Sequence, residues 1–176
     1  MADQDGSTAT DALWSLGSCP TLARPIPTKM HALTLHRDQY GPPENVIRLE
    51  QVAVPRLLPA DANRVLVAVL ATGPNFNTNF AALGLPVPVF GRGDSATLHI
   101  PGSDALGMVV DAGPAVRQVK VGQAVILDSW TGRKIRGYET HDGFNAQFAL
   151  VDEERALPVP FSLSGHSPER LAAMLL

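Results

Sequence analysis

The stretch that decides the fold is Ile100-Pro101-Gly102-Ser103-Asp104-Ala105-Leu106-Gly107-Met108-Val109-Val110. It places a glycine and two compact polar side chains directly before an apolar run that is typical of a buried strand. Gly102 and Gly107 allow the backbone to pass close to a ligand, where a Cβ atom would obstruct it. Further along, Gly113 and Gly122 predict turns that bring paired strands back together. The stretch therefore indicates strands joined by tight turns, with polar groups held beside them.

Alternating apolar and polar residues predict further strands on both sides of this stretch. His31–His36 and Val46–Glu50 show the period of two that half-buried strands have, and Gly41-Pro42-Pro43 predicts a turn between them. Arg64–Ala71 is apolar on both faces, which predicts a central strand. The remaining strands are expected at Met108–Asp111, Gln123–Leu127 and Phe144–Leu150. Because strands dominate, the sequence predicts a mainly β fold that closes as a small barrel.

One short helix is expected among the strands, over Asn75–Leu83. Asn75 or Asn77 is suited to cap its first turn, and Gly84 is suited to end it. Three large apolar residues recur on one helical face, and the first of them is expected in the core: Phe76, Phe80 and Leu83. The Pro- and Gly-rich stretch Pro86–Asp94 is expected to be an ordered loop after this helix.

Composition divides the chain into three segments. Residues 1–29 are polar and small, and we expect a flexible leader, with docking of Trp14 and Leu16 on the body left open. Residues 30–160 carry all the predicted strands and are expected to form the folded domain. Residues 161–176 are expected to begin a helix that would lead into a missing domain, because the apolar face of this helix has no partner within the sequence.

Length, charge and cysteine content exclude several classes of protein. The chain of 176 residues favours one domain, and its net charge of −3 with scattered basic residues argues against nucleic-acid binding. The longest apolar run, Val65–Ala71, is too short to span a membrane, and the N-terminus lacks a secretory signal pattern. Cys19 is the only cysteine, which excludes a disulfide framework and a multi-cysteine zinc site. A cytoplasmic location is the expectation.

The pattern around Gly102 resembles a known domain. Ile100–Val110, followed by Gly113 and by Lys120-Val121-Gly122-Gln123-Ala124-Val125, is similar to the N-terminal GroES-like catalytic domain of the medium-chain dehydrogenase/reductase superfamily. The resemblance covers about residues 30–160 and implies that they form a substrate-binding domain. It implies a GroES-like, partly open β-barrel with a few short helices, without the Rossmann domain.

The resemblance is to members of the superfamily that carry no zinc. Zinc members have Gly-His-Glu at the position where Ser103 and Asp104 follow Gly102 here, and they have a cysteine near Gly73. A catalytic zinc needs about three soft or imidazole ligands, and these positions supply none of them. The resemblance therefore implies a quinone or enoyl reductase without a metal site.

Among these reductases, the chain most resembles the crotonyl-CoA carboxylase/reductases. Four runs carry the likeness: His36-Arg37-Asp38, Asn75-Phe76-Asn77-Thr78, Gly102-Ser103-Asp104 and Gly137-Tyr138-Glu139-Thr140. Enzymes of that group reduce an α,β-unsaturated acyl-CoA with NADPH and trap the resulting enolate with carbon dioxide. Plain enoyl reduction stays open as an alternative, because the intervals between the motifs are shorter here than in typical carboxylating members.

The resemblance also assigns roles to individual residues. It implies catalytic roles for Asn77, Tyr138 and Glu139, which match the carbon dioxide pocket of the group, with Tyr138 where phenylalanine is usual. An asparagine amide can donate a hydrogen bond to an oxygen of carbon dioxide, a glutamate can order a water, and an aromatic wall keeps water from the enolate. Substrate-binding roles are implied for the other polar residues of these motifs: Asn75, Thr78, Ser103 and Asp104.

Structural roles compete with each of these assignments. Asn75 and Asn77 are equally suited to be helix caps, and Ser103 and Asp104 can satisfy backbone groups in a tight turn, which we favour for Asp104. Glu139 can form a surface ion pair with the nearby Lys134 or Arg136. Two histidines are expected to be structural, His99 at a strand end and His141 in a turn.

The predicted function follows from what the chain contains. It has no Gly-x-Gly-x-x-Gly turn, so we expect that it binds no cofactor alone, although the resemblance implies NADPH for a full-length or two-chain enzyme. The first hypothesis is the substrate-binding half of an NADPH-dependent enoyl-thioester reductase or carboxylase, unable to reduce alone. Its expected partners are an acyl-thioester and either a second copy or a separate cofactor-binding chain. The alternatives are a non-redox cyclase or isomerase with Glu139 as general base, and a binding or assembly module for an acyl or polyketide-like ligand.

Overall fold

The computed structural model describes residues 12–73, 75–160, 165–167, 170 and 173. The fold of these residues is mainly β, as predicted, with two short α-helices: α1 (Pro43–Val46) and α2 (Phe76–Leu83). The strands in chain order are β1 (Lys29–His36), β2 (Arg48–Ala53), β3 (Arg64–Thr72), β4 (Leu98–His99), β5 (Ala105–Ala112), β6 (Ala124–Leu127), β7 (Trp130–Thr131), β8 (Lys134–Ile135), β9 (Phe148–Asp152) and β10 (Ala156–Pro158).

A five-stranded antiparallel sheet forms the body, in the order β10-β6-β5-β3-β9. β3 lies in its interior, between β5 and β9, which confirms the central strand predicted at Arg64–Ala71. Val65 and Val67 are buried in one hydrophobic cluster, and Leu66 and Ala68 are buried in another. Both faces of β3 are therefore covered, which explains why the strand is apolar throughout.

A second sheet has the order β2-β1-β4, and one irregular segment joins it to the first. Residues 145–147 form that segment: the amide of Leu33 in β1 donates to the carbonyl of Asn145 at 2.8 Å, and the amide of Gln147 donates to the carbonyl of His31 at 3.0 Å. On its other side, the amide of Val69 in β3 donates to the carbonyl of Gln147 at 2.8 Å. The two sheets therefore curve into the partly open barrel that the resemblance implies.

Two of the predicted strands begin at least two residues later in the structure than expected. Pro43–Val46 forms a helical turn, with proline in the first turn as proline geometry favours, so β2 starts at Arg48 rather than at Val46. The strand predicted at Phe144–Leu150 begins only at Phe148. Its first residues instead bond to the stretch that precedes β5, since the amide of Phe144 donates to the carbonyl of Gly102 at 2.9 Å.

The helix predicted at Asn75–Leu83 is present, but its apolar face is not in the core. Asn75 caps it by accepting the amide of Thr78 at 3.4 Å, and Gly84 ends it in the left-handed conformation at φ 68°. Phe76 is 75% exposed, so its expected place in the core is wrong. Ala81 and Ala82 are buried instead. Small side chains let the helix backbone approach the body, and the phenyl rings point away from it.

The leader contacts the body at Trp14. This side chain is 4% exposed and packs edge-on against Phe148 with ring centroids 5.0 Å apart, whereas Leu16 is 57% exposed. Docking, which the sequence left open for both residues, therefore occurs for Trp14. The helix predicted for residues 161–176 lies almost entirely outside the described residues.

Candidate functional site

The start of α2 and the stretch before β5 form one hydrogen-bonded group. The side-chain nitrogen of Asn75, Nδ2, donates to Ser103 Oγ at 2.8 Å and to Asp104 Oδ2 at 2.5 Å. Asn77 Nδ2 donates to the same Ser103 Oγ at 3.2 Å. Ser103 is 2% exposed. Asn75 therefore caps α2 and also bonds to the Gly102-Ser103-Asp104 motif, whereas Asn77 only bonds to that motif. We call Asn75, Asn77, Thr78, Ser103 and Asp104 the amide cluster.

Thr78 gives this cluster an unsatisfied group. Its hydroxyl oxygen is buried and has no hydrogen-bond partner among the residues that the structure describes. Thr78 and Asn75 line a cavity of about 410 Å³ whose wall also includes Asn145. A buried hydroxyl without a partner costs about 1–3 kcal/mol, which a ligand or water oxygen in the cavity would recover.

Tyr138 and Glu139 lie on the turn after β8, at a different cavity. Tyr138 Oη donates to the carbonyl of Leu85 at 3.0 Å, and Glu139 Oε2 accepts the amide of Ile135 at 2.8 Å. Both line a groove of about 770 Å³ whose opposite wall is the loop Pro86–Asp94. Glu139 is exposed to solvent, and the nearby Arg136 pairs with Asp142. Of the seven predicted site residues, five thus form the amide cluster and two line this second cavity, which we call the loop groove.

The backbones of two glycines bring these two sites side by side. Gly137 has φ 70°, and a Cβ atom added to it would overlap Gly102, whose carbonyl carbon would lie 2.7 Å away. Only glycine meets both requirements, a positive φ and direct contact between two backbones. The turn with Tyr138 and Glu139 is therefore held directly against the stretch with Ser103 and Asp104.

Asn145 is a site residue that sequence reasoning missed. It lines the 410 Å³ cavity, and a Cβ atom at Gly102 would lie 2.6 Å from its amide carbon. In the alternating strand predicted at Phe144–Leu150, Asn145 falls on the polar side. Its amide was the signal that could have identified it, because asparagine is depleted in strands.

Two histidines expected to be structural form a network beneath the loop groove. His99 is fully buried, with Nε2 3.1 Å from the carbonyl oxygen of Gly137 and Nδ1 3.1 Å from Nδ1 of His141. His141 Nε2 lies 2.6 Å from Asp94 Oδ2, so the network runs from the loop to the glycine turn. Nothing in the local sequence pairs residues that are 42 positions apart.

Burial and hydrogen bonds set the charges in this network. Burial, followed by the neighbouring charge of His141, lowers the pKa of His99 from 6.5 to about 4, so this ring is neutral at neutral pH. The pKa of Asp94 is also lowered, first by the amide of Ala96 and then by the hydrogen bond to His141, so Asp94 is a carboxylate.

His99 should make the fold less stable in acid. Its pKa is about 4 in the folded chain against an ordinary value of 6.5, so between these pH values the unfolded chain binds more protons. We therefore expect the free energy of unfolding to fall as the pH is lowered from 6.5 to 4, by up to about 3 kcal/mol. Asp94 adds a loss of the same sign as the pH falls through its lowered pKa. Urea unfolding at a series of pH values measures this loss. The variant His99→Gln should lose distinctly less, and an equal loss in both proteins would contradict the assignment.

Among the described residues, no three His, Cys, Asp or Glu side chains are arranged to hold a metal ion. None of the helices described is long and apolar enough to cross a bilayer.

Comparison with known proteins places the fold and the motifs in one family. Residues 61–161 match the Alcohol dehydrogenase GroES-like domain. The crotonyl-CoA carboxylase/reductase of Cereibacter sphaeroides is 34% identical over 169 residues, which cover 86% of this chain and 38% of the relative. The crotonyl-CoA reductase of Streptomyces avermitilis is 31% identical over 180 residues, covering 81% of this chain and 40% of the relative. The chain thus spans about two fifths of the length of these relatives.

A solved structure shows the same similarity in three dimensions. The crotonyl-CoA carboxylase/reductase AntE in complex with NADP superposes with a TM-score of 0.72 at 34% identity, covering 86% of this chain and 42% of AntE. The resemblance to crotonyl-CoA carboxylase/reductases that the four motifs indicate is therefore confirmed. With more than half of its residues matched and a mainly β fold of the expected kind, the chain belongs to the alcohol dehydrogenase GroES-like domain family.

Proposed function

We propose that this chain is the substrate-binding part of an NADPH-dependent enoyl-thioester reductase or carboxylase, and that it does not reduce its substrate alone. The observation that carries the proposal is the amide cluster held against the Tyr138-Glu139 turn through Gly102 and Gly137. The similarity to crotonyl-CoA reductases and carboxylase/reductases supports the acyl-thioester as substrate.

The amide cluster supplies hydrogen-bond donors for oxygen atoms of the substrate. Asn77 donates to Ser103 Oγ through its side-chain nitrogen, which carries a second N–H. That N–H and the buried hydroxyl of Thr78 are the groups we assign to a thioester or carbon dioxide oxygen. Donors held by neighbouring side chains stabilise developing negative charge because they need no reorganisation during the reaction.

The loop groove supplies the apolar surroundings. Tyr138 forms an aromatic wall opposite Pro86–Val89, and Glu139 lies at the solvent side, where its carboxylate orders a water or a backbone amide. Such a wall limits access of water to an enolate, which favours its capture by another electrophile. Asp104 has a positioning role, since its carboxylate accepts the amide of the cap residue Asn75.

The residues described do not fit NADPH. Binding of a dinucleotide phosphate uses a glycine-rich turn that opens a helix. Gly91-Arg92-Gly93 is the nearest candidate, but the chain continues through irregular residues into β4. NADPH would supply the hydride, and we assign its binding to the further domain of a full-length enzyme or to a partner chain. AntE, which covers more sequence than this chain, was solved with NADP.

The exposed side of α2 is the surface we assign to that NADPH-binding unit. Phe76 and Phe80 are 75% and 39% exposed with ring centroids 6.1 Å apart, and Leu83 is 40% exposed. α2 also begins at Asn75, so a unit that covers these rings would close over the amide cluster. A second copy of the chain is the competing occupant, and a sedimentation measurement of the purified chain distinguishes the two.

Calorimetric titration of the purified chain tests the proposal. We expect crotonyl-CoA to bind and NADPH not to bind at the same concentrations. The variant Asn77→Ala should bind crotonyl-CoA about tenfold more weakly, because one hydrogen bond to the ligand is lost. Asn45→Ala is the matched control, because Asn45 is exposed on α1 and should leave binding unchanged.

Three outcomes would contradict this assignment. Tight NADPH binding, or reduction of crotonyl-CoA by the purified chain alone, would place the cofactor site within these residues. Equal binding by Asn77→Ala and Asn45→Ala would remove the amide cluster from the site. Conversion of the thioester without NADPH, abolished in Glu139→Gln, would favour the cyclase or isomerase alternative.

A further inference from the structure

The contacts of the histidine network beneath the loop groove determine how many protons its two rings carry. The two rings of His99 and His141 have four nitrogens, which make three contacts: one with Gly137, one with Asp94 and one between the rings. The carbonyl oxygen of Gly137 only accepts hydrogen bonds, so His99 Nε2 must carry a proton. The carboxylate of Asp94 also only accepts, so His141 Nε2 must carry a proton.

The contact between the rings requires one proton more. The two Nδ1 atoms lie 3.1 Å apart, a hydrogen-bond distance, and one of them must donate to the other. Three ring protons on two imidazoles leave one positive charge, because a neutral imidazole carries one proton. The observed geometry is therefore that of a pair that shares a single additional proton.

The surroundings place this charge on His141. His99 is fully buried, and burial keeps its pKa at about 4, whereas the side chain of His141 is 29% exposed and touches the Asp94 carboxylate. The ring of Phe90 stacks on His141 with centroids 5.2 Å apart and lies edge-on to His99 at 6.1 Å. His99 Nδ1 then accepts a hydrogen bond from the protonated Nδ1 of His141, and His99 Nε2 donates a hydrogen bond to the carbonyl of Gly137.

Other charged groups around the pair are paired or face the groove. Arg37 lies 3.9 Å from the carboxylate of Asp94 and donates to the backbone carbonyls of Asp94 and Ala96. Its guanidinium lies over the ring of Phe90, 5.0 Å from the ring centroid. Arg136 donates to Asp142, whose carboxylate acts on His99 through space. Lys134 and Glu139 line the loop groove together with His141. Of the six groups, only Asp94 bonds to His141 directly through its side chain.

The network connects the two walls of the loop groove. Asp94 lies at the end of the loop that starts after Leu85, and Gly137 begins the turn that carries Tyr138 and Glu139. At the other end of the loop, Tyr138 Oη bonds to the carbonyl of Leu85. We propose that the proton shared by His99 and His141 fixes the turn with Tyr138 and Glu139 against the Asp94 loop, which makes both histidines positioning residues of the groove. Without that proton the two Nδ1 atoms have no hydrogen bond between them, which lets the turn shift.

The proposal is independent of substrate identity, and only its importance for the reaction rests on the proposed function. Long-range proton–nitrogen NMR of the 176-residue chain with ¹⁵N-labelled histidine observes the ring protons directly. At pH 6 we expect both nitrogens of His141 and Nε2 of His99 to be protonated. Where the shared proton is lost, the signals of both rings should change together, because one hydrogen bond joins them. The backbone amide of Tyr138 should change with them, which a purely structural histidine pair would not cause.

Two variants complete the test. Asp94→Asn keeps a side chain that can bond to His141 but removes the negative charge, so the shared proton should be lost at a lower pH than in the unsubstituted chain. Asp111→Asn, on the exposed side of β5, removes the same charge elsewhere and should leave the loss of the shared proton unchanged. Independent titration of the two rings, a pair with only two ring protons at pH 6, or a Tyr138 amide that ignores the transition would overturn the proposal. No ligand is present in this experiment, so a failure of crotonyl-CoA binding does not affect its result.

Discussion

Replacement of Gly137 by alanine is expected to cost about 4 kcal/mol of folding free energy, which is a large part of the stability of a domain of this size. Two effects add. The positive φ of 70° disfavours any L side chain by about 1–2 kcal/mol. The new Cβ atom would also overlap the backbone of Gly102, and no flexible side chain is present at that contact to move aside. The carbonyl of Gly102 further accepts the amide of Phe144 at 2.9 Å, so a shift there disturbs a second contact.

Gly132 offers a matched control for this prediction. It has a similar φ of 61°, but a Cβ atom there would meet no heavy atom within 4 Å. Gly132→Ala should therefore cost only the conformational term, about 1–2 kcal/mol. Urea unfolding of both variants, followed by circular dichroism, separates the two terms. If both variants lose the same free energy, the packing of Gly137 on Gly102 does not hold the two sites together.

The second large effect is expected for Trp14→Ala, which should cost about 4 kcal/mol although Trp14 belongs to the predicted leader. Trp14 is 4% exposed and packs edge-on against Phe148. Its Nε1 donates to the carbonyl of Pro25 at 3.1 Å, and its own carbonyl accepts Nε2 of Gln147 at 2.8 Å. The substitution removes a large apolar surface and leaves a cavity between the leader and β9.

Leu16→Ala is the control, because Leu16 lies two positions away and is 57% exposed. Its cost should stay within about 0.5 kcal/mol, as for most surface substitutions. The same urea experiment measures both variants. Equal stability of Trp14→Ala and Leu16→Ala would show that the leader contributes nothing to the fold, and would contradict the burial of the indole ring.

Local patterns predicted much of the fold because they report local physics. β1, β3, β5 and β6 lie where alternation or continuous apolar runs placed them, and α2 has the cap and the terminal glycine expected of it. The face of α2 was predicted from the correct period, yet Phe76 is exposed. Periodicity shows which residues share a face, but it does not show which face the rest of the chain covers.

The arrangement of the candidate site was also predictable only in part. Asn75, Ser103 and Asp104 were singled out because compact polar groups and glycines interrupt apolar strands, and they do form one cluster. Their separation from Tyr138 and Glu139 into two neighbouring cavities was not predictable. This separation depends on how two turns meet in the folded chain. The catalytic and binding roles of the site residues stay predictions, which the titrations above test.

By itself, the order of residues determined the mainly β character, the capped helix and the identity of the polar motifs, since each depends on neighbours a few positions apart. Only the tertiary structure decided that Gly137 lies on Gly102, that His99 bonds to His141, and that Trp14 is buried against Phe148. These contacts join residues that are 35 or more positions apart along the chain. Their formation depends on the path of the whole backbone through the barrel, which no local pattern specifies.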